Sequence, residues 1–186
     1  MQVHYPASAN GQTDQSKVNI KYSASTVREV FITAPLNHGS LNEGPLSIPA
    51  NQESTFTCDY SAPSQYDITI LDVSPHMHLL GKSIKSWAVT PTNQTIPLIE
   101  VEDWDFHWQG FYEFRNPIKI PAGSTLHSTA TYDNTTNNPE NPNNPPQHVY
   151  AGESTTEEMM LVFFSFTQYF PGDENIAIDP VSVHED

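Results

Sequence analysis

Ile68-Thr-Ile-Leu-Asp-Val73 puts apolar side chains on one face of an extended backbone and leaves the other face mixed. It ends a strand expected over Tyr66–Val73. Similar segments, bounded by Pro, Gly and Asn, predict strands near Ser16–Ala24, Arg28–Thr33, Glu53–Tyr60, Lys82–Thr90, Gln94–Val101, Gly110–Phe114, Thr125–Tyr132 and Met159–Tyr169. Ile118-Lys-Ile120 repeats the alternation briefly. Pro49-Ala-Asn51 and Pro121-Ala-Gly123 read as turns placed before strands. Helical periodicity is nearly absent and no internal repeat is visible. About nine short strands at this spacing predict an all-β fold, an antiparallel jelly-roll-like β-sandwich. Asp133–Gln147, with Pro139, Pro142, Pro145 and Pro146, cannot be a central strand and is expected to be a long exposed loop.

The chain has 186 residues, enough for one ordinary domain. Seven Lys plus Arg stand against 22 Asp plus Glu, a formal charge of −15. That excludes a phosphate-backbone binder, which needs a cationic face, and opposes docking on anionic lipid. No apolar run approaches the ~20 residues of a membrane helix, and the first residues show no basic-then-apolar leader. The single cysteine, Cys58, rules out an intrachain disulfide and reads as a buried, inert thiol.

Pro75-His-Met-His-Leu-Leu-Gly-Lys82 follows directly on the strand. Residues two apart on extended backbone project from one face about 7 Å apart, so His76 and His78 can converge on a metal at ~2.0 Å bonds. A third ligand has several candidates: the other histidines, the acidic residues, and Met1, Met77, Met159 and Met160. Composition alone reads Met159 and Met160 as core residues of the last strand. A thioether ligand would favour Cu(I), because zinc rarely uses methionine.

His76-Met-His-Leu-Leu-Gly-Lys82, followed by Glu157-Glu-Met159, resembles the C-terminal half of the copper type II, ascorbate-dependent monooxygenases. That family includes peptidylglycine α-hydroxylating and dopamine β-monooxygenases. Asp105-Phe-His-Trp-Gln109, Ile120-Pro-Ala-Gly123, Tyr132-Asp-Asn134 and Gly152-Glu-Ser-Thr-Thr156 look like its bacterial branch. The resemblance implies His76, His78 and Met159 as ligands of an oxygen-binding copper, Met159 being preferred to Met160 because it directly follows Glu158. The separation of His78 and Met159, 159 − 78 = 81 residues, is similar to that of the family. What it implies further is a two-copper enzyme that hydroxylates a C–H bond of a small-molecule substrate with dioxygen and a reductant such as ascorbate. Peptide-amidating relatives carry an Arg two residues before the first ligand histidine and a Tyr four after the ligand Met. Ser74 and Phe163 stand there instead, so a bidentate carboxylate clamp is missing.

Gln2-Val-His-Tyr5 resembles the strand that ends the family's preceding domain, which makes His4 the last ligand of the second, electron-transferring copper site. No His-His pair exists in the chain to supply the rest. Residues 1–15 are therefore expected to be the last strand of a missing neighbouring domain plus a linker, and residues 16–186 the copper-binding domain. A fragment without its partner domain is expected to bind one copper and to be inactive alone. Copper redox chemistry in this family implies an extracytoplasmic setting, periplasmic or secreted.

Other histidines are assigned less. His107 and His127 read as hydrogen-bonded structural residues, His38 and His184 as having no role, and His148 as a candidate to hydrogen-bond a ligand from outside. Trp87, Trp104 and Trp108 read as core residues rather than a sugar-stacking platform. Two rival functions remain at this level: a copper-binding or electron-transfer module, and a metal-free carbohydrate- or protein-binding sandwich.

Overall fold

The computed structural model describes residues 11–20 and 22–178. Ten strands appear in the order β1 (Phe31–Asn37), β2 (Ser47–Ile48), β3 (Gln52–Ser61), β4 (Ile68–His76), β5 (Gly81–Val89), β6 (Thr95–Val101), β7 (Tyr112–Ile120), β8 (Thr125–Asn134), β9 (Val149–Tyr150) and β10 (Leu161–Gln168). Two four-stranded antiparallel sheets, β1-β10-β4-β7 and β3-β8-β5-β6, face each other, and β2 pairs with β9 beside them. This is the expected all-β sandwich.

Alternation explains the packing. In β8 the inward positions Leu126, Ser128, Ala130, Tyr132 and Asn134 are buried, and each intervening residue is only partly so. Ile84, Ser86 and Ala88 of β5 do the same from the adjacent strand. Ile70, Val73, Val162 and Phe164 approach from the other sheet, with Cys58 fully enclosed among them. Burial pushes the Cys58 thiol up to about 12, so the inert reading holds.

Several boundaries move. The strand expected over Ser16–Ala24 does not form: the described residues there are irregular and exposed, Val18 and Ile20 at 63% and 66%. Alternation without a partner strand or a surface to bury supplies no reason to extend. The strand near Arg28–Thr33 shifts to Phe31–Asn37, where the register slips between Thr33 and Leu36 around Pro35. Such a slip suits an edge strand. β4 continues through Pro75 to His76, because its pairing with β7 ends at Val73–Tyr112 and Pro75 is left with β10 alone. β7 runs on to Ile120, tolerating Pro117 because it too is an edge.

The segment after β8 is a loop, as expected, but it is not simply exposed. The Asn134 side chain is buried and donates to the carbonyls of Ile48 (3.1 Å), Pro49 (3.1 Å) and Gln147 (2.7 Å). Asn138 donates to the carbonyls of Leu79 (3.1 Å) and Asp133 (2.9 Å). The asparagines of this loop thus satisfy backbone groups that no strand partner reaches. Pro146, in the same loop, is buried.

Candidate metal centre

β10 lies between β1 and β4, and its register with β4 brings Leu161 opposite His76, Val162 opposite Pro75 and Phe163 opposite Ser74. Val73 and Pro75 point into the core, so Ser74 and His76 share the outer face. The ladder stops at His76–Leu161, and His78 and Met159 each lie two residues beyond that pair. Chain topology therefore brings together the two segments that the sequence separates.

The two imidazoles lie 5.1 Å apart, centroid to centroid, and nearly perpendicular at 84°. Each has its Nδ1 engaged. His76 Nδ1–H donates to Gln109 Oε1 at 2.6 Å, and the Gln109 amide nitrogen donates to the Phe106 carbonyl at 2.6 Å, which orients the amide. His78 Nδ1–H donates to the Glu157 carbonyl at 3.0 Å. With both protons placed on Nδ1, both Nε2 lone pairs are free. Burial lowers the His76 pKa; the Gln109 hydrogen bond opposes this, and the charges of His78 and His38 add to it. His76 is thereby kept neutral, the form in which an imidazole binds metal.

Glu158 is fully buried and sits between the two segments. Its Oε2 accepts the backbone N–H of His78 (2.9 Å) and of Met159 (3.1 Å), and its Oε1 accepts that of Leu80 (2.7 Å). Burial raises its pKa to about 7 against the pull of these three amides. Tyr132, also buried, donates its hydroxyl to the Met159 carbonyl at 2.9 Å. Met160 is 0% exposed and belongs to the core, whereas Met159 is only half-buried. The two adjacent methionines thus differ in burial, although composition reads them alike.

The loop carrying Glu157 is closed tightly. Gly152 N–H donates to the Glu158 carbonyl and Glu158 N–H to the Tyr150 carbonyl, each at 3.0 Å. A Cβ at Gly152 would lie 2.1 Å from Cδ of Glu157, so a side chain there must displace that carboxylate. Gly81 is similarly confined, its absent Cβ being 2.7 Å from the Trp104 ring and 3.0 Å from the Met77 methyl. Beside His78 opens a cleft of ≈ 530 Å³ lined by Trp104, Phe106, His107, Asn137, Asn138 and Glu140, among others.

His4 and His184 lie outside the described residues. His107 is exposed beside Asp105, and His127 bonds Asp59 at 2.5 Å while stacking on Trp87 at 5.4 Å. His148 does not reach the ligand candidates: its Nε2 bonds Ser47 Oγ at 2.7 Å, and its ring stacks on Tyr150. His38, assigned nothing from sequence, docks on Met160 through its own N–H (2.8 Å) and through Nδ1, which accepts the Met160 N–H (3.4 Å). Trp87 and Trp104 are half-buried, but Trp108 is 76% exposed, contrary to the core reading. Its neighbours in the 102–110 segment are mostly exposed, so no apolar layer covers it. Gln109, Glu157 and Glu158 are the residues that sequence reasoning missed as partners of the histidines. Gln109 lies within Asp105–Gln109, and Glu157 and Glu158 within Glu157–Met159, both motifs quoted for the resemblance, and that was the available signal.

Among the described residues, no group of three or more His, Cys, Asp or Glu is arranged to hold a metal ion. Two imidazoles with their Nδ1 atoms engaged and their Nε2 atoms free nonetheless fit one: rings bound at ~2.0 Å around a near-tetrahedral angle stand about 5 Å apart. No curated protein matches the chain. The family model described as copper type II ascorbate-dependent monooxygenase, C-terminal domain, matches residues 36–177, and the chain belongs to that family.

Proposed function

We propose that His76, His78 and Met159 hold a single copper ion, and that this domain is the part of a two-copper monooxygenase at which dioxygen is used to hydroxylate a C–H bond. The observation that carries the reading is the paired orientation of His76 and His78, both Nδ1 atoms satisfied and both Nε2 atoms left free. No third imidazole, thiolate or carboxylate joins them among the described residues, and Met159, two residues beyond the His76–Leu161 pair, offers a thioether on the neighbouring segment. Copper bound there would supply one-electron redox chemistry toward dioxygen, and a thioether ligand favours its reduced state.

The chain's own residues do the positioning. Gln109 and the Glu157 carbonyl hold the imidazole tautomers, and desolvation keeps His76 unprotonated. The cleft beside His78 offers a small-molecule substrate aromatic walls and acidic edges. Ser74 and Phe163, directly paired on the face that carries His76, supply no cation for a substrate carboxylate, which argues against peptide amidation in that mode. A second copper domain as electron donor, a reductant such as ascorbate, and an extracytoplasmic setting belong to the same reading. So does inactivity of this domain when alone.

Titration of the protein with Cu(I) against a chromogenic chelator tests the assignment. One equivalent is expected to bind, with two nitrogen and one sulfur scatterers in X-ray absorption. Met159→Ala should weaken binding and remove the sulfur contribution with the fold intact. Unchanged Cu(I) affinity in that variant defeats it.

A further inference from the structure

We infer that Glu158 is a positioning residue for the metal centre: its buried carboxylate joins the two ligand-bearing segments and assembles the ligand set ahead of the metal. This rests on the assignment of His76, His78 and Met159 made above. The last ladder pair between β4 and β10 is His76–Leu161, and both His78 and Met159 lie two residues beyond it. Main-chain pairing, which holds strands together elsewhere in the sheet and reaches His76, no longer acts at His78 and Met159.

Glu158 takes its place. One oxygen receives the amides of His78 and Met159 at 2.9 and 3.1 Å, so those two nitrogens are within about 6 Å of each other. The other oxygen receives the Leu80 amide at 2.7 Å and fixes the turn that follows His78. All three donors are backbone amides, so the carboxylate is held by neutral groups rather than by a cation. Placing an ionisable side chain at 0% exposure is costly without such partners. A carboxylate also suits the geometry better than any neutral side chain, because both of its oxygens accept. Glutamine would turn an NH2 donor toward one of the amides.

Glu158→Gln and Glu158→Ala, compared with the wild-type protein and with Met159→Ala, test the inference by three readouts. Cu(I) affinity is expected to fall roughly 10–100-fold in Glu158→Ala and less in Glu158→Gln, the range for partners that orient ligands. In X-ray absorption of the Cu(I)-loaded variants the sulfur contribution should shrink while the two nitrogen contributions persist. A general loss of fold would not produce that split. In the metal-free wild-type protein the amides of His78, Leu80 and Met159 should exchange slowly with solvent, and faster in both variants.

Wild-type affinity and an intact sulfur contribution in folded Glu158→Gln overturn the inference. Should Glu158→Ala fail to fold, Glu158→Gln and the wild-type exchange rates decide, and unprotected amides in the metal-free protein overturn it equally. If Met159→Ala itself leaves affinity and sulfur scattering unchanged, it is the ligand assignment that fails. Amide exchange then still reports whether Glu158 holds the two segments together.

Discussion

His76 and Gln109 are joined by a 2.6 Å hydrogen bond from the imidazole Nδ1–H to the side-chain oxygen. Gln109 comes from the segment before β7, and its amide nitrogen is tied to the Phe106 carbonyl. The ring therefore cannot rotate without breaking a bond whose acceptor is already fixed. Gln109→Ala should free it. Cu(I) affinity is expected to fall by about tenfold, while the denaturation midpoint of the metal-free protein stays close to wild type, because Gln109 is itself exposed. Chelator competition and urea denaturation on the same sample check both halves.

Met159 and Met160 should separate binding from stability. Met160 is wholly enclosed in the core, and Met160→Ala is expected to cost about 2–5 kcal/mol of folding free energy, the range for truncating a buried aliphatic side chain. Met159→Ala should cost much less in urea denaturation and should carry the loss of Cu(I) binding instead. Equal destabilisation by the two variants would contradict this division.

Acid should loosen the seam between the segment before β1 and the turn after β10. Arg28 meets Asp173 through both guanidinium nitrogens (2.7 and 3.0 Å), and Asp173 also accepts the Thr69 hydroxyl (2.7 Å) and the Phe170 N–H (3.0 Å). The Arg28 hydrogen bond, chiefly, holds the Asp173 carboxyl well below the usual carboxylate range. As pH falls below about 4 the unfolded chain takes up this proton before the folded one does, so stability declines there and is flat above about 5. Asp173→Asn should flatten that part of the curve. Asp173→Ala should cost about 1–3 kcal/mol at neutral pH by leaving the buried Thr69 hydroxyl without its acceptor. Thermal denaturation between pH 3 and 7 measures both.

Cys58 should be silent toward thiol reagents in the native protein. It is fully buried with its pKa raised to about 12 by desolvation, so almost no thiolate exists at pH 8. Labelling by a maleimide is expected only after denaturant is added, and rapid native labelling would contradict the packing described.

How much of this was legible follows from where the information lies. Glu53–Tyr60, Lys82–Thr90, Gln94–Val101 and Thr125–Tyr132 matched their strands within about two residues, since each alternates and each is packed on one face. Ser16–Ala24 alternates too, yet no neighbour covers it, and alternation alone does not reveal a missing partner. β2 and β9 are two residues each and leave no periodic trace. At the site, His76, His78 and Met159 were named from residue type, spacing and resemblance. Gln109 and Glu157 act through a single oxygen each and Glu158 through both carboxylate oxygens, and which ring nitrogen or amide they meet depends on how loops close in three dimensions. His148 shows the reverse: its place before a turn suggested the site, but its ring stacks on Tyr150 and bonds Ser47.

The pairing of β4 with β10 has a thermodynamic consequence. Because it joins segments that are remote along the chain, unfolding parts Met159 from His76 and His78, and the denatured ensemble holds no comparable three-ligand set. Cuprous ion would then act as a native-state ligand: at one hundred times its dissociation constant it adds about 2.7 kcal/mol to the unfolding free energy. Melting temperature would track free copper, and a strong chelator would lower it without touching a single contact in the sandwich.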